Sequence, residues 1–128
     1  MPKKILQVVQ SAYRATVEEQ DDTIVWLTHA MKGAGADVSV LLRGNAVCYL
    51  VRGQDPNGLR FGARTLSHKT DLVGDVEKLI GKGVVVSVVA EDLAERGIAD
   101  AECIAGAKRI ARADLPALFA AHAQILHW

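Results

Sequence analysis

The chain has 128 residues, with 15 basic and 15 acidic side chains, and half of its residues are hydrophobic. This length predicts a single domain over residues 1–128, and the composition excludes wholesale disorder. The formal net charge of zero argues against nucleic acid as a partner, because nucleic-acid-binding proteins present an excess of lysine and arginine to phosphate. The longest nearly apolar run is too short to cross a bilayer, so no membrane association is expected.

Cysteine content and the first residues indicate a compartment. Cys48 and Cys103 are too few and too isolated to form a disulfide framework. The chain becomes polar at Gln7, which is too early for the apolar region of a signal peptide. We therefore expect a reduced, cytoplasmic protein.

The first part of the chain alternates strand and helix patterns. A β-branched run predicts a strand over residues 5–10, and a second run predicts a strand over residues 37–42. Between them, apolar residues at helical spacing predict a helix over residues 17–32. Thr16 and Glu19 have the spacing of a capping box for this helix.

The middle of the chain contains a long segment without periodicity. Asn45 is predicted to cap a short helix over residues 46–51. Residues 53–70 lack periodicity, which is typical of a functional, partner-contacting or mobile segment. Helical spacing returns over residues 71–80, and the valine-rich run 84–89 predicts a strand buried on both faces, as in parallel sheets.

The last third continues the alternation. Its patterns predict a helix over residues 91–95, a strand over 107–110, a helix over 114–121 and a strand over 125–128. Strands that alternate with helices indicate a parallel sheet with helices on both faces. The predicted fold class is therefore α/β, a three-layer α/β/α sandwich around a mostly parallel, five-stranded sheet.

The candidate site follows from this fold class, because open α/β sheets bind ligands beyond the carboxyl ends of their strands. The loops after three predicted strands contain the candidate ligand-binding residues Gln10, Ser11, Arg43, Gly44, Asn45, Ala90, Glu91 and Asp92. Glu91 and Asp92 have two interpretations: they stabilise the start of the short helix through its dipole, or they act as a general acid and base. We favour the first.

Known cofactor motifs are absent from the sequence. Residues 33–35 follow a helix and precede a strand, which is the reverse of the order in a dinucleotide-binding loop. Residues 81–83 lack the spacing of a phosphate loop. The four histidines have no metal-ligand spacing and no cysteine motif accompanies them, so neither a metal nor another cofactor is expected.

Cys48 is the candidate catalytic residue. If Asn45 caps the following helix, Cys48 occupies the third helical position, where free amide groups and the helix dipole favour a thiolate. Alternatively, Cys48 is a small core residue in an apolar segment, which is the commoner situation for a free cysteine. Cys103 lies beside Ile104 in a predicted turn and is the weaker candidate.

Several segments match a known family when they are taken together. These segments are KILQVV at 4–9, LRGNAV at 42–47, GVVVSV at 83–88, DLAERGI at 92–98 and ADLPAL at 113–118. In combination they resemble the DsrE/DsrF family, which includes the Tus sulfur-relay subunits. The resemblance implies a flavodoxin-like sandwich that forms homo-oligomers (trimers or hexamers) or hetero-oligomers with related DsrE-like subunits. It also implies a persulfide-carrying cysteine at about position 89, where this chain has Val89.

Three functional hypotheses follow. Because valine cannot hold a persulfide, the first is a non-catalytic or atypical subunit, or a carrier, in intracellular sulfur trafficking, with a sulfur-carrier protein as partner. The second is a sulfurtransferase that uses a relocated thiol, Cys48 or, as the less favoured position, Cys103. The third is a small-ligand-binding module that uses the cleft at the strand ends. Val89, at the end of a predicted strand, is a candidate ligand-binding residue together with the loop residues named above. Enzymatic activity stays open among these three.

Overall fold

A central sheet of five strands organises the chain. The computed structural model describes residues 3–14, 16, 20–54, 60–65 and 70–128. The strands are β1 (Lys4–Val9), β2 (Asp37–Leu42), β3 (Arg60–Phe61), β4 (Arg64–Thr65), β5 (Val86–Val89), β6 (Lys108–Ile110) and β7 (Gln124–His127). β3 and β4 pair with each other as a separate antiparallel hairpin.

The five-stranded sheet is parallel throughout. Its strands run in the order β6-β5-β2-β1-β7, and every neighbouring pair is parallel. In this register Val8 lies beside Leu41, and Leu41 lies beside Ser87. The predicted α/β class with a five-stranded sheet is confirmed. All strands end at the same side of the sheet, which we call the carboxyl edge and define by the residues that follow β1, β2, β5, β6 and β7.

Helices connect the strands and cover the sheet. The helices of the described chain are α1 (Thr23–Gly33), α2 (Leu72–Gly81), α3 (Ala90–Glu95) and α4 (Leu115–Ala120), with 3-10 helices at Gly44–Leu50, Asp100–Glu102 and Arg112–Asp114. Among the described residues, no helix has both the length and the apolar character needed to cross a membrane.

The two faces of the sheet are covered unequally. On the first face, α1, α2 and the 3-10 helix Gly44–Leu50 enclose a core that contains Val86 and Val88 of β5. On the second face, α4 covers a smaller core. The buried residues of this second core are Leu6, Val8, Leu41, Val89 and Leu115. β5 supplies valines to both cores, and all four of its residues, Ser87 included, are buried.

Most predicted boundaries lie within two residues of the observed ones. α2 begins at Leu72, directly after Asp71, whose Oδ1 accepts a hydrogen bond from the Gly74 amide at 3.0 Å. The strand predicted over residues 84–89 is shorter at its start, because β5 begins at Val86. The aperiodic segment contains the hairpin of β3 and β4.

The largest error concerns the start of the first helix. The pattern predicts a helix over residues 17–32 with Thr16 as its cap. Residues 17–19 lie outside the described residues, and the described helix α1 begins at Thr23. Asp22 caps α1, since its Oδ1 accepts hydrogen bonds from two first-turn amides at 2.8 and 3.0 Å. Gln20, just before this cap, has left-handed backbone with φ of +63°. Glu19, the other half of the predicted capping box, lies outside the described residues.

Candidate functional site

The loops after β1, β2 and β5 meet at the carboxyl edge. The Gly44 amide donates a hydrogen bond to Oδ2 of Asp92 at 2.8 Å. Gly44 also lies against Gln10, because a Cβ placed on Gly44 would be 3.1 Å from Gln10 Cγ. The φ of Gly44 is +56°, a backbone conformation that side chains disfavour. The structure therefore brings Gln10, Gly44 and Asp92 of the predicted site together.

Asp92 is a buried anion that links the ends of three strands. It is 7% exposed, and it accepts Nη2 of Arg112 at 2.6 Å in addition to the Gly44 amide. Burial opposes ionisation, but the Gly44 amide and the guanidinium groups of Arg112 and Arg96 outweigh it and hold the pKa of Asp92 below its ordinary value. A carboxylate bound in this way fixes loops; it does not transfer protons near neutral pH.

Arg112 is a site residue that the sequence patterns did not indicate. It follows β6, and its guanidinium also contacts Oε1 of Glu95 at 3.1 Å. The hydrogen bond with Asp92 and that with Glu95 raise the pKa of Arg112. Both carboxylate oxygens of Glu91 accept the Arg112 amide at 2.9 Å. Its place directly after a predicted strand was the available signal, because the strand-end rule applies to every strand of the sheet.

Asn45 does not cap a helix, so that prediction is wrong. The 3-10 helix begins at Gly44, two residues before the predicted start, and Arg43 precedes it in extended backbone without a side-chain cap bond. Asn45 Oδ1 instead accepts Nε and Nη2 of Arg96 at 3.1 and 2.9 Å. The Arg43 amide donates to the Val9 carbonyl at 3.0 Å. Asn45 therefore ties the end of β2 to the turn after α3.

The end of β7 lies beside the end of β1. The Trp128 carbonyl accepts hydrogen bonds from the amides of Gln10 and Ser11 at 3.0 and 3.2 Å. Trp128 Nε1 donates to Oε1 of the fully buried Gln7 at 2.9 Å. His127 Nε2 lies 2.8 Å from Gln10 Oε1. Gln10 and Ser11 thus hold the edge strand in place.

Cys48 lies in a different environment from the predicted one. It is the fifth residue of the 3-10 helix Gly44–Leu50 and is partly buried. The predicted third position behind an Asn45 cap is wrong, so the helix-dipole argument for a Cys48 thiolate no longer applies. Burial raises the pKa of Tyr13, and the interaction of its hydroxyl with the Cys48 side chain raises it further. The Cys48 carbonyl accepts Nε2 of Gln54 at 2.8 Å.

Cys103 is a core residue. It is 5% exposed, and its Sγ lies 3.8 Å from the Ala99 carbonyl oxygen. Burial raises the pKa of the Cys103 thiol, so the thiol stays protonated at neutral pH. Of the two cysteines, Cys48 is the accessible one.

Val89 ends β5 in an apolar environment. Its side chain is 1% exposed and belongs to the second core. α3 starts at the next residue, Ala90, which is half-buried. The position that the family resemblance assigns to a persulfide cysteine is therefore occupied by a buried valine.

A cleft of about 440 Å³ lies apart from these strand-end residues. It forms between the segment after β1, the turn at residues 52–54 and the start of α2. Its lining residues are Tyr13, Thr16, Arg52, Gly53, Gln54, Thr70, Asp71, Leu72, Val73 and Glu77. We call it the Tyr13 cleft. None of the predicted strand-end residues lines it, and no group of three or more His, Cys, Asp or Glu side chains in the described chain could hold a metal ion.

Comparison with known proteins identifies the fold. No protein-family model and no curated protein sequence matches the chain. The ychN protein from E. coli matches with a TM-score of 0.70 over 100% of both chains, at 17% sequence identity. BT1422 from Bacteroides thetaiotaomicron matches with a TM-score of 0.69 over 98% of this chain and 95% of its own, at 12% identity. The chain has a DsrE-like fold.

A third solved structure extends this similarity. MTH1491 from Methanobacterium thermoautotrophicum matches with a TM-score of 0.59 over 100% of both chains, at 14% identity. BT1422 and MTH1491 are both described as proteins of unknown function. At these identities the similarity concerns the fold, and a shared fold does not fix an activity.

Proposed function

We propose that this chain is a subunit or carrier of a DsrE-like sulfur-trafficking assembly that works without a persulfide at the end of β5. The DsrE-like fold and the sequence resemblance to that family support this proposal. The observation that carries it is Val89, a side chain without a nucleophile that is 1% exposed. A thiol-based transfer at this position has no atom to which sulfur could bind.

The polar groups at the carboxyl edge favour a binding role over a catalytic one. Asp92 and Glu91 accept hydrogen bonds from backbone amides or arginine, and Asn45 accepts two from Arg96. Side chains engaged in this way keep the loops in one arrangement. The side chain of Arg112 stays 46% exposed beside them. Such an edge offers a partner subunit a preformed surface.

A relocated thiol at Cys48 is the second candidate. Cys48 is only partly buried, it adjoins Tyr13, and Tyr13 lines the cleft. In this alternative the Cys48 thiolate attacks a terminal sulfur of a polysulfide. A new S–S bond forms on Cys48, an S–S bond of the polysulfide breaks, and the shortened polysulfide leaves with the electron pair. The step needs no external oxidant.

Polysulfide loading distinguishes the two candidates. The reduced protein is incubated with polysulfide, its intact mass is measured, and any adduct is mapped by peptide analysis. We expect no adduct that reductant removes, while a persulfide-forming control protein treated in parallel gains sulfur. The Cys48→Ser and Cys103→Ser variants are measured beside the unmodified chain.

Each alternative result has a definite meaning. Reversible sulfur on Cys48 that disappears in Cys48→Ser and persists in Cys103→Ser would replace the first candidate by the second. Reversible sulfur on Cys103 would contradict both candidates, because each of them leaves Cys103 unmodified. Its thiol is buried and has a raised pKa, which makes it a poor nucleophile.

We also propose that copies of this chain associate through the second face of the sheet. Val85 and Ile125 are 54% and 41% exposed, and the alternation of side chains places them on the same face as Leu6 and Leu41. In the described chain only the six residues of α4 contribute a helix to the core of this face. The zero net charge adds no long-range repulsion between copies.

Sedimentation equilibrium tests this association. We expect the unmodified chain to sediment as an oligomer and the Val85→Lys and Ile125→Lys variants to shift towards monomer, since each buries a charge in the interface. Trp26→Lys is the matched control, because Trp26 is 58% exposed on α1, at the opposite face. A monomeric unmodified chain, or an equal shift in the control variant, would contradict the proposed interface.

A further inference from the structure

The Tyr13 cleft has the dimensions of a small-molecule site and walls that are already formed. Its volume of about 440 Å³ falls within the range of about 300–1,000 Å³ that such sites occupy. The Thr70 hydroxyl donates to the Thr16 carbonyl at 2.7 Å, which ties the segment after β1 to the start of α2. Among the described residues, this bond joins two sides of the cleft without a ligand.

Tyr13 forms one wall in strained backbone. Its φ is +59°, which is unfavourable for a bulky residue. The Tyr13 amide donates to the Tyr49 hydroxyl at 2.6 Å, and the two rings meet edge to face at 5.4 Å. The Tyr13 hydroxyl donates to Gln54 Oε1 at 2.6 Å. The side chain nevertheless remains 45% exposed. Strain that surrounding contacts maintain in this way is concentrated at functional sites.

Opposite charges line the cleft on different elements. Arg52 lies in the turn at residues 52–54, and its Nη2 donates to the Ala101 carbonyl, which fixes the side chain. A guanidinium carries further N–H groups that suit a carboxylate. Two carboxylates lie at the α2 side, but Asp71 already caps the helix through the Gly74 amide. Glu77 is the exposed carboxylate on this side that does not cap the helix.

We propose that the Tyr13 cleft binds a small zwitterion, namely an amino acid or a dipeptide with an apolar side chain. Arg52 binds the carboxylate of this ligand and Glu77 binds its ammonium group. The apolar side chain packs on the ring of Tyr13 and on Leu72 and Val73, which line the same cleft. This site does not depend on sulfur chemistry at Cys48 or on Val89.

An amide chemical-shift titration with alanyl-leucine tests the site. We expect saturable shifts at Gly53, Gln54 and Val73. The N-acetylated dipeptide lacks the ammonium group and the dipeptide amide lacks the carboxylate. Each is expected to bind about tenfold more weakly, because each loses one charge-assisted pair.

Two variants test which residue binds each charged group of the ligand, and two further variants serve as controls. Arg52→Gln is expected to weaken alanyl-leucine about tenfold and to leave the dipeptide amide unaffected, since that compound has no carboxylate to lose. Glu77→Gln is expected to weaken alanyl-leucine about tenfold and to leave the binding of the N-acetylated dipeptide unchanged, since that compound has no ammonium group to lose. Lys4→Gln and Asp37→Asn change exposed charges at the opposite edge of the sheet and are expected to change nothing. Absence of saturable shifts with alanyl-leucine, shifts outside the cleft, or equal affinity for the three compounds would overturn the proposal.

Discussion

Replacing Asp22 by alanine is expected to lower the free energy of unfolding by about 3 kcal/mol. Asp22 is 1% exposed, and its Oδ1 caps α1 while its Oδ2 accepts the Tyr49 hydroxyl at 2.5 Å. Loss of the cap costs about 1 kcal/mol. Loss of the acceptor leaves the Tyr49 hydroxyl proton without a partner in the core, which costs a further 1–3 kcal/mol or so. Urea unfolding measures the sum.

The tyrosine partner makes Asp22 more than a helix cap. Tyr49 is fully buried. Burial is the main cause that raises the pKa of Tyr49, and the hydrogen bond to Asp22 raises it further. Its hydroxyl therefore remains a donor to Asp22 while it accepts the Tyr13 amide at 2.6 Å. The pair joins α1, the 3-10 helix Gly44–Leu50 and the segment after β1. Removing either side chain therefore breaks the buried hydrogen bond between Tyr49 and Asp22.

Asp71→Ala is the matched control, because Asp71 caps α2 from an exposed position without a tyrosine partner. It is expected to cost only about 1 kcal/mol. Tyr49→Phe is expected to cost about 2 kcal/mol, and the double variant with Asp22→Ala should cost less than the two single changes together. Equal losses for Asp22→Ala and Asp71→Ala, or strict additivity in the double variant, would show that the buried pair contributes nothing specific.

The start of α1 shows where local patterns are insufficient. Thr16 and Asp22 both have the chemistry of a cap, and the capping-box spacing of Thr16 with Glu19 favours Thr16 locally. Asp22 is selected by the Tyr49 hydroxyl, which comes from a segment 27 residues away. By contrast, the valine run of β5 predicts its strand correctly, because burial on both faces of a parallel sheet depends on the strand's own residues.

The proximity of the strand-end residues was predictable from the sequence, but their contacts were not. The strand-end rule brings Gln10, Gly44 and Asp92 together, as a parallel sheet requires. Arg112 follows a predicted strand, so the strand-end rule covers it as well. Which carboxylates it contacts depends on β6 lying beside β5, and no local pattern indicates that pairing. The Tyr13 cleft depends on three segments that are distant in the chain, so no local pattern indicates it.

Replacing Asp92 by asparagine is expected to lower the free energy of unfolding at pH 7 by about 2 kcal/mol, the scale of hydrogen bonds to a charged group. The folded chain holds the pKa of Asp92 below its ordinary value of 3.8, so the carboxylate stabilises the fold above that value. Its contribution is lost as the pH falls through the lower, folded-state pKa. We therefore expect the difference between the two proteins to shrink below about pH 4.

Asp100→Asn provides the comparison that isolates burial. Arg109 contacts Asp100 at the same 2.6 Å as Arg112 contacts Asp92, but the side chain of Asp100 is 81% exposed and that of Asp92 is 10% exposed. A solvent-exposed pair contributes roughly 0–1 kcal/mol. Urea unfolding of both variants between pH 7 and pH 3 should therefore show a large, pH-dependent loss for Asp92→Asn and a small one for Asp100→Asn. If the two losses are equal, the buried contacts with Gly44 and Arg112 do not set the stability of the carboxyl edge. That edge would then be free to rearrange when a partner binds.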